Sequence, residues 1–128
     1  MTKNEIDGLL LKYVFGEDID KPPKWYYENF WLETLLCNSW PGLGLVAEEM
    51  EKKEPSCLLQ LVRIYPAGDD SFYPTDQPWM AQFREHRPED RPAEWEFVAY
   101  SKTPFMAVAV AALRAVGVEI PEEEVLND

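Results

Sequence analysis

The chain has 128 residues, enough for one hydrophobic core and little more. Its composition, 46% hydrophobic and 28% charged, is that of a soluble globular domain, and 24 acidic against 12 basic side chains give a formal charge of −12. A surface of that sign repels phosphate backbones and anionic bilayers, so direct nucleic-acid or membrane binding is not expected, although an acidic surface can mimic nucleic acid toward a basic protein.

Two cysteines, Cys37 and Cys57, are too few to staple a disulfide-dense fold, and the chain starts without the basic and apolar tandem of a signal peptide. The apolar run from Phe105 to Leu113 is far below the roughly 20 residues needed to cross a bilayer. A reduced, cytoplasmic protein is the expectation.

Thr2 to Phe15 reads as the first helix. Thr2 and Glu5 match a capping box, Ile6, Leu9, Leu10, Tyr13 and Val14 recur at helical spacing, and Gly16 can take the positive φ that ends a last turn. An aromatic insert follows, around 20–38. Pro22 and Pro23 restrict its backbone, and Lys24 to Trp31 holds Trp25, Tyr26, Tyr27, Phe30 and Trp31. These rings are either an ordered cover over the core or an exposed interaction surface.

Asn38 and Ser39 are candidate caps for a second helix, with Pro41 in its first turn and Leu43, Val46, Ala47 and Met50 on its apolar face. Gly42 and Gly44 weaken its start. Ser56 to Tyr65 predicts a strand with apolar groups on both faces. Turn chemistry dominates from Pro66 to Pro78, with a short strand expected around Ser71 to Tyr73. Two further strands show in the alternation of Trp79, Ala81 and Phe83 and of Trp95, Phe97 and Ala99, whose rings and methyls face inward; the charged stretch between them is expected to be solvated. Thr103 and Pro104 open a last, alanine-rich helix that Gly117 closes, and an acidic tail, Glu122 to Asp128, ends the chain. The expected core is Leu9, Leu10, Val46, Leu61, Trp79, Phe83, Trp95, Phe97, Val110 and Leu113.

The pattern formed by Met1, Thr2, Glu5, Ile6 and Asp7, by Val46 to Met50, by Trp79-x-Ala81-x-Phe83, by Ala99, and by Thr103, Pro104, Ala107, Ala111, Ala112, Leu113 and Arg114 resembles the phage ABA sandwich domain family. The resemblance spans nearly the whole chain, apart from the aromatic insert. It implies a phage or prophage protein in a bacterial host cell, with helices layered on a small antiparallel sheet, and it supplies no catalytic residues. The expected fold is therefore a single α+β domain over 1–128: a layered α/β/α sandwich with a small, mainly antiparallel sheet and about three helices.

Chemistry-bearing residues form no coherent set. Cys37, Cys57 and His86 lack close ligand pairs and an orienting third group, which argues against a soft-metal site or a thiol nucleophile. Asp69 with Asp70 and Glu48 with Glu49 are adjacent acids that solubility explains; Glu94 and Glu96 share a strand face. There is no phosphate loop or dinucleotide fingerprint, and no catalytic residue, metal or cofactor is assigned. The expectation is a non-enzymatic accessory protein that binds or inhibits a host protein through the aromatic insert, with a homo-oligomer as a further candidate assembly. The alternative is sequestration of a small molecule or nucleotide, with aromatic rings stacking on a base and Lys24, Arg63 or Arg84 neutralising an anion. An enzyme with an unrecognised site ranks last.

Overall fold

In a computed structural model of the chain, which describes residues 1–18, 20–30, 34–54, 56–64, 77–85 and 96–121, Thr2 caps the first helix as its spacing from Glu5 predicts. Its hydroxyl accepts the Glu5 amide at 3.1 Å, and α1 runs Lys3–Leu9. The predicted continuation to Phe15 is helical but wider, a π turn over Leu10–Val14 in which the Phe15 amide reaches back to the Leu10 carbonyl at 3.1 Å. The wider turn lets the sequential Leu10 and Leu11 both enter the core with Val14. Gly16 then takes φ 69°, and Lys53 donates to the Val14 carbonyl at 2.9 Å, placing a cation where the turn exposes its acceptors.

The aromatic insert contributes a short helix, α2 (Lys24–Asn29), entered through an extended Pro23. A single turn of 3₁₀ helix, Leu36–Asn38, leads into α3 (Trp40–Glu51). Ser39 is the cap that the sequence offers: its hydroxyl accepts the Gly42 amide at 3.2 Å and donates to the Leu35 carbonyl at 2.6 Å. Gly42 is the contact point between α3 and the 3₁₀ turn. A Cβ there would stand 2.5 Å from the Leu36 Cα and closer still to the Leu36 carbonyl oxygen, so the residue that weakens the helix start locally is what permits the crossing.

Strands β1 (Cys57–Arg63), β2 (Trp79–Glu85) and β3 (Glu96–Ser101) form an antiparallel sheet in that order. Leu59 lies opposite Phe83 and Leu61 opposite Ala81; across the other ladder Ala81 meets Ala99 and Phe83 meets Phe97. This is the predicted inward face. Helix α4 (Pro104–Ala115) crosses all three strands and is buried at every position from Met106 to Leu113. Its alanines bring it close to the sheet on one side and to α3, α1 and the π turn on the other.

Thr103 caps α4 through the Met106 amide at 3.2 Å. Gly117 ends it at φ 91°, with the Val118 amide bonded to the Leu113 carbonyl at 2.9 Å and the Gly117 amide to Arg114 at 3.1 Å. Arg114 then holds the returning chain by donating to the carbonyls of Ile120 and, at 2.8 Å, Val98.

The layered α/β sandwich with a small antiparallel sheet is thus the observed fold. The described residues hold four α-helices where about three were expected, the addition being α2 from the aromatic insert. Of the predicted core, Leu10, Val46, Phe83, Val110 and Leu113 are fully buried, while Leu9, Leu61, Trp79 and Phe97 are partly covered. Trp79 keeps one face under the Arg63 guanidinium, 5.4 Å from the ring centre, because it ends the sheet where β1 stops. Trp95, the strand around Ser71 to Tyr73 and the acidic tail lie outside the described residues.

The two early glycines of α3 should separate cleanly on substitution. Gly42→Ala should lose about 1–3 kcal/mol of stability through the clash with Leu36. Gly44, with open space at its Cβ position, should gain up to ~1 kcal/mol as alanine. Urea denaturation of both variants checks this, and equal effects would contradict the close crossing.

Candidate functional site

Asp7 sits on the stripe that continues through Leu11 and Val14, and it is 1% exposed. One carboxylate oxygen accepts the Tyr26 hydroxyl at 2.7 Å and the Leu36 amide at 2.8 Å; the other accepts the Cys37 amide at 2.9 Å. Two successive amides at the start of the 3₁₀ turn therefore face a carboxylate, the arrangement that makes helix N-termini hold anions. One side chain fastens α1 to α2 and to the approach of α3. Burial, then the bond to Asp7 and its negative charge, push the Tyr26 hydroxyl well above its usual pKa, which keeps it protonated as a donor. The cluster is a clamp.

The Cys37 side of the clamp opens on a cleft of about 50 Å³ lined by Lys3, Cys37, Asn38, Ser101, Lys102, Thr103 and Met106. The thiol is buried and donates to the Lys3 carbonyl at 3.4 Å, while both lysines are exposed at the rim. Trp40 and Phe105 stand next along the chain, at the first turns of α3 and α4. Their rings meet edge to face at 4.9 Å, and Trp40 remains 59% exposed. The cleft has room for a water or a small group, with hydroxyls, an amide and two ammonium groups as its polar complement.

The aromatic insert is largely an ordered cover. Phe30 is 1% exposed and stacks under Tyr26 at 5.8 Å, which removes it from the expected interaction surface. Trp25 packs on Phe15 at 5.2 Å and is half-buried, as is Tyr26, drawn inward by Asp7. Tyr27, at 60%, faces solvent, and Trp31 lies outside the described residues. The physical reason is the clamp: α2 has too few turns to hold itself, and it is held by turning its rings toward α1.

The three basic candidates are not gathered. Lys24 is exposed and paired with Glu28 at 3.5 Å on α2. Arg63 and Arg84 belong to opposite ends and opposite faces of the sheet, since Arg84 pairs with Leu58, five positions before Arg63 on β1, or about 17 Å along the strand. Cys37 and Cys57 are buried thiols, and burial first and the charge of Glu85 second push the Cys57 thiol up despite Lys53. His86, Asp69, Asp70 and Glu94 lie outside the described residues. Among the described residues no group of three histidine, cysteine or acidic side chains is placed to hold a metal ion, and no helix is long and apolar enough to cross a membrane.

The sequence pattern includes Asp7 without giving it a role, and it does not mark Trp40. An acid on an apolar stripe was the readable signal for the first. Trp40 carried none, because it precedes Pro41 inside a cap. No family model, curated protein or solved structure matches the chain.

Removing the clamp should be costly in graded steps. Asp7→Ala leaves two buried amides and a hydroxyl without their acceptor, a loss of about 3 kcal/mol or more, whereas Tyr26→Phe should lose about 1–2 kcal/mol. Because the folded pKa of Tyr26 lies above its unfolded value of about 10, the tyrosine's advantage over phenylalanine should be complete below that pH and shrink as pH rises beyond it. Denaturation of both chains across this range measures the gap, and a gap that widens with pH would contradict the assignment.

Proposed function

We propose that this protein acts without catalysis, by binding another protein through the face that carries Trp40 and Phe105 beside the Lys3–Lys102 cleft. The observation that carries the reading is Trp40 itself. A large ring left 59% exposed at the centre of a rigid frame of two capped helix starts is the kind of anchor that interfaces concentrate their energy on. The frame needs no reordering on binding, which lowers the entropic cost of association.

The setting we propose is that implied by the resemblance to phage ABA sandwich domains: a phage or prophage accessory protein, cytoplasmic in a bacterial host, whose partner is a host protein that it hinders. We place the recognition surface at Trp40 in preference to the aromatic insert, because Trp25, Tyr26 and Phe30 pack inward there and leave Tyr27 outward.

Capture from bacterial lysate tests the assignment. Wild-type protein and a Tyr27→Ala variant should recover the same partner, and Trp40→Ala should lose it while keeping wild-type thermal stability. Equal recovery by all three would reject Trp40 as the anchor.

A further inference from the structure

The acidic residues of this chain avoid one region. Segments 34–47 and 97–113 together hold a single charged side chain, Lys102, and residues 1–4 add Lys3, although the whole chain carries 24 acids. The fold brings these three segments together. Lys3, Asn38, Lys102 and Thr103 line one cleft, and the edge-to-face contact of Trp40 with Phe105 joins the starts of α3 and α4 beside it. Both helices run for 12 residues, and their starts, where the positive dipole ends lie, adjoin at this contact. An otherwise strongly negative protein therefore presents, among the described residues, a cleft lined by two lysines and no acid, beside an exposed Trp40 that meets a half-buried Phe105.

We propose that the occupant of this face is an acidic segment of another protein that carries an apolar side chain, the apolar group seated on Trp40 and Phe105 and its carboxylates directed to Lys3 and Lys102. The proposal rests on reading this face as a protein-binding surface and adds the chemistry of what it takes. Charge complementarity is its warrant: in a chain of formal charge −12 the lining of this cleft carries two lysines and no acid, and it stands beside two capped helix starts and the exposed Trp40 ring.

The test is a titration of isotopically labelled full chain, followed by amide chemical shifts, with a short synthetic peptide of glutamates around a Leu-Phe pair and with its glutamine counterpart. The acidic peptide should shift the amides of Lys3, Asn38, Trp40, Lys102 and Phe105 saturably, and more weakly as salt rises. The glutamine peptide should bind about tenfold more weakly or worse, as should the acidic peptide to the Lys3→Glu/Lys102→Glu chain, whose altered side chains are exposed. Equal binding of both peptides at these amides would overturn the acidic specificity while leaving the binding face in place. Absence of saturable shifts there would overturn the proposal outright, with the Trp40→Ala capture deciding separately whether the face binds protein. Shifts at the same amides on raising protein concentration without peptide would assign the face to a second copy of the chain and overturn it equally.

Discussion

Helix α4 has no solvent face over most of its length, and that constraint organises everything else. A helix apolar on all sides must be surrounded, so the sheet covers one side, and α3, the 3₁₀ turn, α1 and the π turn cover the rest. Its alanines set how closely these neighbours approach. The π turn is one answer to the same demand, because it presents two sequential leucines to a core that an ordinary turn would have met with one.

The cover is assembled by polar devices rather than by apolar contact alone. Asp7 accepts from three donors in segments 19 to 30 residues away along the chain, and Ser39 both caps α3 and holds Leu35. Such contacts are directional, so they select one arrangement among the many that would bury similar area. They also account for the insert: Tyr26 and Trp25 are drawn inward with α2, while Trp40, at the start of α3, keeps an exposed ring.

Charge is distributed to match. The acids crowd the outer turn of α3, the flanks of α1 and α2, and the chain beyond Glu119, while the segments that build the centre are nearly free of them. A core helix excludes charge because burial of an unpaired ion is costly. The same exclusion, continued to the helix starts, leaves Lys3 and Lys102 on a cleft whose lining carries no acid. The face thus follows from how the core was made.

The elements themselves were legible because each is written in local chemistry. Thr2, Ser39 and Thr103 are caps whose hydroxyls accept from amides three residues on, Gly16 and Gly117 are left-handed stops, and the alternation of Trp79, Ala81 and Phe83 marks one face of a strand. Those interactions span a few residues, so sequence alone determines them. Asp7 with Leu36 and Cys37, Gly42 against Leu36, and Trp40 against Phe105 are different: each depends on where segments distant along the chain cross. A carboxylate on an apolar stripe shows that a partner is needed without saying which amides supply it, and a tryptophan's spacing does not reveal which side of it is left uncovered. Sequence therefore determined the three capped helices, the three strands of the sheet and the acid-free segments, while tertiary packing decided that Trp25, Tyr26 and Phe30 turn inward and that Trp40 faces out near two lysines.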